Sequence, residues 1–205
     1  FIEKVKQDFN FNEIISKLIV SRNFDLNEIY SIENEYKIVN GFKRNKDFIK
    51  ASQILEKCID DKELICIFGD YDVDGTASTS LLAKFFDDIK HPYFFYIPDR
   101  EHDGYGPSIP LFKKLILKKP KLIIMVDCGS TSSEEIEYLN IKNIKSIIID
   151  HHEINKPYPK SNAIINPKKD INYSLKDYFC ATTLTYFFLE IIISNKKSSF
   201  NLSKY

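Results

Sequence analysis

The sequence has 205 residues and a mass of 24.0 kDa; 43% of the residues are hydrophobic and 28% are charged. This length suits one globular domain or slightly more, with enough apolar residues to build a core. Lysine and arginine together number 29, as do aspartate and glutamate, so the formal net charge is +0. That balance excludes a basic field over the whole molecule, although a local basic groove is compatible with it.

We expect neither a membrane span nor a disulfide framework. The longest apolar stretch near the C-terminus, residues 184–193, is interrupted by Glu190 and is far shorter than the roughly 20 residues of a spanning helix. No charged segment followed by an apolar one opens the chain, so no secretion signal is expected, and Phe1 at the start indicates a piece of a longer protein. The cysteines are scattered and lack CxxC spacing, which favours a reducing cytoplasm. They are Cys58, Cys66, Cys128 and Cys180.

Residues 1–60 are predicted to be helical. Apolar residues recur at helical spacing over residues 14–18 and again over residues 48–58. Between these two stripes, residues 23–44 form a polar connector with a turn signal. We therefore expect a small helical segment, residues 1–60, that covers one face of a second unit, residues 61–205.

From residue 62 onward, short apolar runs alternate with helix-like segments. The runs are predicted strands: Leu64–Phe68, Tyr93–Ile97, Leu122–Val126 and Ser146–Ile149, with a possible short strand at Ala163–Ile165. The predicted helices are Thr76–Ile89, Pro110–Lys118, Ser132–Leu139 and residues 180–194, and residues 155–178 are loop-like. A strand that recurs every 24 to 29 residues with a helix in each gap is typical of an α/β fold, a parallel sheet with helices on both faces. Runs without polar alternation also indicate strands buried on both faces.

Acidic and imidazole side chains follow the carboxyl ends of these predicted strands, where open α/β sheets place their functional crevice. They are Asp70, Asp72 and Asp74 after the first strand, Asp127 after the third, and Asp150, His151 and His152 after the fourth. So many carboxylates at one sheet edge would repel one another unless a cation neutralised them. Oxygen ligands with an imidazole suit Mn²⁺ or Mg²⁺, and Mn²⁺ is favoured by the histidine. Two such ions that share a bridging carboxylate can activate a water at a phosphoryl centre.

Two other families share part of the acidic motif. The residues from Asp70 to Gly75 match the first half of an EF-hand loop, but the glutamate needed at its twelfth position is Leu81 here and a strand precedes the motif. Asp72 to Thr76 resembles the DxDGT motif of haloacid-dehalogenase-type phosphatases, whose first aspartate is a nucleophile. In that alternative Asp127 only caps a helix, and the two histidines are surface side chains without a role in the chemistry.

Taken together, the segments GDYDVDGTAS, MVDCG and IIDHHE, in this order and spacing, resemble the first three motifs of DHH-superfamily phosphoesterases. Within that superfamily, IPDREHDGYG and AIINPKKD make the chain similar to the RecJ-type single-strand-specific 5′→3′ exonucleases. The resemblance spans roughly residues 45–190. Two places depart from the pattern: Phe68 stands where several relatives have a histidine, and residues 179–183 replace a glycine-rich helix start.

The resemblance implies a role for each motif residue. The implied metal ligands of a two-metal site are Asp70, Asp72, Asp74, Asp127 and His151. Asp127 would bridge the two ions, and Asp150 would orient the histidine pair without touching a metal. His152 would contact the scissile phosphate or assist the leaving group, so Asp127, Asp150 and His152 are the expected catalytic residues.

The loop after the second predicted strand holds the candidate substrate contacts. Arg100, His102 and Tyr105 could line a path for the phosphates of the substrate, together with His152. A solvated loop without a binding role is the alternative.

The activity implied by the resemblance is metal-dependent hydrolysis of single-stranded DNA from its 5′ end, with release of 5′-mononucleotides, in DNA repair and recombination. Single-stranded DNA is the expected partner of a cytoplasmic monomer. The alternatives are a phosphodiesterase of short oligonucleotides and a catalytically incomplete DHH fragment or scaffold; the intact motif residues argue against a scaffold. A further aspartate ligand and a DHHA1 domain would lie beyond Tyr205, so we expect a mostly assembled metal crevice with little processive nuclease activity.

Overall fold

The computed structural model describes residues 1–33, 40–169 and 179–196. The chain divides into two compact units, Phe1–Asn40 and Gly41–Tyr205. This boundary lies earlier than the predicted one at residue 60, because the helix that begins at Lys46 buries its apolar face in the core of the second unit. No helix within the described ranges is long and apolar enough to cross a membrane.

The first unit contains three helices, α1 (Ile2–Phe9), α2 (Glu13–Ser21) and α3 (Leu26–Glu33). One apolar residue from each helix enters a small buried cluster: Val5, Ile19 and Ile29. Helix α3 lies inside the predicted polar connector, of which residues 34–39 are outside the described residues. Its start is a reciprocal capping box, because Asp25 and Glu28 each accept the backbone N–H of the other, at 2.9 and 2.8 Å.

The second unit is a parallel α/β structure, as predicted. Its helices are α4 (Lys46–Asp60), α5 (Val73–Asp88), α6 (Ile109–Leu115), α7 (Ser133–Ile141) and α8 (Ala181–Lys196), with short 3₁₀ helices at Ile116–Lys118 and Pro167–Lys169. Its strands are β1 (Ile65–Phe68), β2 (Tyr93–Tyr96), β3 (Leu122–Val126), β4 (Lys145–Ile149) and β5 (Ala163–Ile165). The strands form one sheet in the order β2-β1-β3-β4-β5, and every neighbouring pair is parallel.

Helices cover both faces of this sheet, which confirms the predicted layers. Along β3, Leu122, Ile124 and Val126 pack in the core that contains α4, α5 and α8, whereas Ile123 and Met125 pack in the core that contains α6 and α7. All five side chains are fully buried. A strand covered on both faces needs no polar alternation, which is why its sequence is continuously apolar.

Strand β2, at one edge of the sheet, differs from this expectation. Its Phe95 side chain is 56% exposed, and the other residues of the strand are partly buried. The prediction of burial on both faces is therefore wrong for β2, whereas β5 at the opposite edge is buried throughout.

The predicted loop over residues 155–178 is described up to residue 169. It contains the predicted short strand, β5, which pairs with the carboxyl half of β4. The remainder of that prediction, residues 170–178, lies outside the described residues.

The strand register brings the candidate site together. Phe68 of β1 pairs with Met125 of β3, and Val126 of β3 pairs with Ile149 of β4. The carboxyl ends of these three strands are therefore level at the place where the strand order reverses, between β1 and β3. The aspartates that emerge there are Asp70, Asp127 and Asp150.

Candidate active site

Asp127 lies at the centre of the site, directly after β3. Its backbone N–H donates to the carbonyl oxygen of Ile149 at 2.9 Å, and its φ of 61° places it in the left-handed region. The side chain is fully buried, and neither carboxylate oxygen accepts a hydrogen bond within the described part of the chain. A buried carboxylate without donors is costly, so a cation at this position would be strongly stabilising.

The electrostatics of Asp127 lead to the same conclusion. Burial raises its pKa to about 8, and the nearby negative charges of Asp74 and Asp72 act in the same direction. The metal-free carboxyl therefore tends to hold a proton at neutral pH. A divalent cation would favour the ionised form instead, since an opposite charge at contact distance lowers the pKa of a carboxyl.

Asp127 belongs to two groups of possible metal ligands at once. One group contains Asp70, Asp72 and Asp127, and the other contains Asp127, His151 and His152. Within each group, one ligand atom from each residue lies within 4.8 Å of the others. Two ligand groups that share one carboxylate are the arrangement that two bridged ions require, so the donor set fits the predicted two-metal site.

Close packing of α5 against the end of β1 shapes the first acidic motif. Asp72 caps α5, because its Oδ1 accepts the backbone N–H of Gly75 at 2.9 Å. Asp70 is buried, and its Oδ1 accepts the N–H of Tyr71 at 2.7 Å. A Cβ at Gly75 would lie 2.6 Å from both the Cβ and the carbonyl oxygen of Asp70. The glycine thus allows Asp70 and Asp72 to come within reach of Asp127.

Asp74 lies in the first turn of α5 and binds the start of α8. The backbone N–H groups of Ala181 and Thr182 donate to its two carboxylate oxygens at 2.7 and 2.8 Å, and the Thr182 hydroxyl donates at 2.5 Å. Although burial raises the pKa of Asp74, these hydrogen bonds outweigh it and lower the pKa. Its Oδ2 lies 3.5 Å from His151 Nε2, at the edge of the second ligand group. Asp74 therefore caps α8, and its role as a ligand stays a prediction.

Asp150 holds the histidine pair in place. Its Oδ1 accepts the Nδ1–H of His152 at 2.8 Å and the backbone N–H groups of His151 and His152 at 2.7 and 3.1 Å. Its Oδ2 accepts the N–H of Ser130 at 3.0 Å. Burial alone would raise the pKa of Asp150, but these donors lower it to about 2. These hydrogen bonds fix both histidines relative to Asp150; that Asp150 orients them without being a metal ligand stays a prediction.

The two histidines occupy different places. His151 Nε2 lies 3.2 Å from Asp127 Oδ1, without the alignment of a hydrogen bond, and its role as a metal ligand stays a prediction. His152 Nδ1 is 3.9 Å from the same oxygen and is engaged by Asp150. The hydrogen bond to Asp150 raises the pKa of His152. His151 thus lies beside Asp127, whereas the His152 ring is held by Asp150.

The predicted substrate contacts lie in a row of ring contacts that ends at His152. The Tyr105 ring meets the His152 ring and the Tyr71 ring edge-on, with 6.3 Å between centroids in each pair. The Arg100 guanidinium lies over the Tyr71 ring, 5.6 Å from its centroid. Arg100 and Tyr105 are therefore brought to the rim of the acidic site.

Three residues of this site were not predicted from the sequence. Tyr71 supports the rim, and Ser130 and Asn166 take part in hydrogen bonds around Asp150 and His152. Tyr71 and Asn166 lie inside the segments DYDVDG and AIINPKKD, so position within a motif was the available signal. His102, by contrast, hydrogen-bonds to Asp99 at 2.9 Å within its own exposed loop.

The chain resembles known proteins over this same region. The family model "DHH family, N-terminal domain" matches residues 64–204. The single-stranded-DNA-specific exonuclease RecJ of Bacillus subtilis (strain 168) is 30% identical over 171 residues, which is 82% of this chain and 22% of that protein. RecJ of Escherichia coli (strain K12) is 33% identical over 129 residues, which is 62% of this chain and 22% of that protein. The chain thus spans about a fifth of the length of these relatives.

Solved structures agree with the fold. A crystal structure of exonuclease RecJ bound to manganese superposes with a TM-score of 0.68 and 25% identity, covering 75% of this chain and 39% of that one. RecJ from Thermus thermophilus in complex with Mn²⁺ gives a TM-score of 0.69 at 20% identity, covering 96% and 27%, and this likeness shows the fold alone. Since the family model matches more than half of the chain and includes the three motif segments, the chain belongs to the DHH family.

Proposed function

We propose that this chain carries the metal centre of a phosphodiesterase that degrades single-stranded DNA from its 5′ end. The observation that carries the proposal is Asp127, a buried carboxylate that no described residue satisfies and that two ligand groups share. The relatives named as single-stranded-DNA-specific exonucleases support the choice of substrate. The chain covers only 22% of the length of each of these relatives, so the substrate needs a direct test.

Manganese or magnesium fits the donor set, because these ions prefer carboxylate oxygens and tolerate an imidazole. The residues that would hold two such ions are Asp70, Asp72, Asp74, Asp127 and His151. When bound, the ions would activate a water and stabilise negative charge on a phosphoryl group. A solved relative described as bound to manganese supports this choice of metal.

His152 and Asp150 act on the substrate side of the centre. Asp150 engages Nδ1 of His152, and within the described ranges no residue hydrogen-bonds to Nε2. Nε2 is therefore the nitrogen that can donate a proton to an oxygen of the scissile phosphate or of the leaving group. The raised pKa of His152 favours the protonated form that this donation needs.

The rim binds the strand. Arg100 supplies a positive charge for a backbone phosphate, and the Tyr105 ring, 59% exposed, offers a surface on which a base can stack. Because the net charge of the chain is +0, such local contacts have to supply the affinity. The proposed products are 5′-mononucleotides.

The proposed setting is DNA repair and recombination in the cytoplasm, with the protein acting as a monomer. Cys58, Cys66, Cys128 and Cys180 are free thiols, as a reducing compartment favours.

The test measures Mn²⁺-dependent hydrolysis by the chain of three substrates: a short 5′-labelled single strand, the same strand in a blunt duplex, and a dinucleotide. We expect 5′-mononucleotides from the single strand and none from the duplex. A short strand is used because little processive degradation of long strands is expected. Cleavage of the dinucleotide alone would instead support the oligonucleotide phosphodiesterase.

Two variants complete this test. Asp127→Asn should abolish hydrolysis and calorimetric Mn²⁺ binding, whereas Asp61→Asn, an exposed carboxyl that follows α4, should leave both unchanged. A wild-type chain that binds Mn²⁺ and cleaves none of the three substrates would contradict the proposal and leave the scaffold role.

A further inference from the structure

Asn166 is a buried polar residue that neither the metal centre nor the proposed substrate contacts use. It follows β5 directly and is 7% exposed. A buried amide is tolerated at little cost only when its polar atoms are hydrogen-bonded, so its partners indicate what it does.

The oxygen of Asn166 fixes the orientation of its amide. Oδ1 accepts the backbone N–H of Lys168 at 2.9 Å. Nδ2 consequently faces the site, where it donates to Ser130 Oγ at 2.8 Å and to the backbone carbonyl oxygen of His152 at 3.0 Å. A flipped amide would place an oxygen against that carbonyl oxygen, so the partners allow this orientation alone.

These contacts close a ring of hydrogen bonds around His152. Ser130 donates its N–H to Asp150 Oδ2 at 3.0 Å, and Asp150 Oδ1 accepts the imidazole Nδ1–H of His152 at 2.8 Å. His152 is thus held at its carbonyl by Asn166 and at its ring by Asp150, while Ser130 connects these two holders. The ring joins the segments that follow β3, β4 and β5.

The ring matters because His152 lies beyond the end of β4. Among the described residues, no backbone–backbone hydrogen bond involves His152. Its backbone is held by two side chains instead: Asp150 accepts its N–H at 3.1 Å, and Asn166 donates to its carbonyl oxygen at 3.0 Å. An imidazole that acts on a phosphate has to be held within a fraction of an ångström of its productive position, which a freely rotating segment does not provide.

We propose that Asn166 is a positioning residue that sets the place of the His152 imidazole at the scissile phosphate. The kinetic consequence rests on the proposed function. The placement of His152 itself is measurable in the metal-free protein, without any hydrolysis.

The first arm of the test is NMR spectroscopy of the metal-free chain. Asn166→Asp keeps the size of the side chain and the oxygen that accepts from Lys168. It replaces the NH₂ group, which donates both hydrogen bonds, by an oxygen that cannot donate. The His152 imidazole and amide signals are assigned by their loss from the wild-type positions in the spectrum of His152→Gln. In Asn166→Asp we expect these signals to shift and the Nδ1 proton to exchange with water about tenfold faster. Unchanged His152 signals would overturn the proposal.

Asn162→Asp is the matched control. Asn162 precedes β5 directly, and its side-chain oxygen accepts the Ser146 N–H at 2.8 Å, while its amide nitrogen donates to no described residue. Aspartate keeps that oxygen, so the His152 signals should stay as in the wild type. A shift of the same size in this control would show a general effect of charge and would also overturn the proposal.

The second arm is kinetic and uses Mn²⁺ with the short single strand. We expect Asn166→Asp to lower kcat about 10–100-fold with KM changed less than about twofold, as loss of an outer partner of a site residue does. Ser130→Ala should also lower kcat. The double variant should have a kcat no lower than that of the single variants, because both substitutions open the same ring of hydrogen bonds. Should Asn166→Asp not fold, Ser130→Ala carries both arms.

The two arms keep the proposals apart. A kcat loss that equals the unfolded fraction measured by circular dichroism would indicate a merely structural role and overturn the inference. Full kcat in a folded Asn166→Asp would do the same while leaving the proposed function intact. If the wild-type chain hydrolyses nothing, the proposed function fails, and the NMR arm still decides whether Asn166 places His152.

Discussion

Asp74 and Thr182 are hydrogen-bonded to each other although 108 residues separate them. The backbone N–H and the hydroxyl of Thr182 both donate to Asp74 Oδ1, at 2.8 and 2.5 Å. The acidic motif at the start of α5 therefore also caps α8, and a carboxylate at a helix N-terminus interacts favourably with the helix dipole. The stability of α8 and the arrangement of the acidic site are coupled through this one side chain.

The first prediction concerns that cap. Thr182→Val removes the hydroxyl that donates to a charged oxygen, so we expect the metal-free protein to lose about 1–2 kcal/mol of unfolding free energy. Urea denaturation followed by circular dichroism measures the change. Thr182→Ser keeps the hydroxyl, so its unfolding free energy should fall much less. Equal stability of the valine variant and the wild type would show that the hydroxyl contributes nothing.

The second prediction is a pH dependence of the metal-free protein. The pKa of Asp127 is about 8 in the folded chain and near 3.8 in the unfolded chain. Between these values the folded state holds a proton that the unfolded state has released, so stability falls as pH rises from about 4 to about 8. Melting temperatures in a chelating buffer, taken across this range, measure the slope.

Asp127→Asn should reduce this slope, since the amide does not ionise. At pH 8 we also expect the unfolding free energy of the variant to be at least about 1 kcal/mol higher than that of the metal-free wild type. The reason is that the substitution removes a buried negative charge that lies near other negative charges. Addition of Mn²⁺ should reverse the order, since only the wild type gains from binding. A variant less stable than the metal-free wild type at pH 8 would refute this account of Asp127.

The third prediction tests the close approach of α5 to Asp70. Gly75→Ala places a Cβ 2.6 Å from the carbonyl oxygen of Asp70, so either the helix or the acidic loop has to move. We expect a loss of about 1–3 kcal/mol in stability and a weaker Mn²⁺ affinity in calorimetry. Gly41→Ala is the control, because nothing lies within 4 Å of a Cβ at that position. Unchanged metal affinity in Gly75→Ala would mean that Asp70 contributes little to the centre.

The fourth prediction concerns the rim. Arg100→Ala should raise KM for the short single strand about tenfold with kcat nearly unchanged, since a lost hydrogen bond to a phosphate removes uniform binding. The salt dependence of binding should weaken as well. Arg44→Ala, an exposed arginine that precedes α4, should behave as the wild type. A drop in kcat at constant KM would instead place Arg100 at the reacting phosphate.

Local signals in the sequence were enough to predict most of the second unit. Apolar runs at regular intervals identified β1, β3 and β4 within a residue or two of their ends, because period and composition are properties of neighbouring residues. The exposure of Phe95 depends instead on which side chains distant segments cover in the folded chain. Helix α3 was missed although the Asp25–Glu28 pair gives a capping-box signal and Leu26, Ile29 and Tyr30 recur at helical spacing, so the local signal was present and was overlooked.

The sequence by itself determined which residues follow each strand, and hence that several carboxylates and two imidazoles gather at one sheet edge. Only the tertiary structure showed that Asp127 is a buried carboxylate to which no described residue donates, that Asp74 caps a helix far along the chain, and that Asn166 reaches the His152 carbonyl. The physical reason is that hydrogen-bond donors and solvent exposure are set by packing between distant segments, whereas strand and helix patterns are set by adjacent residues.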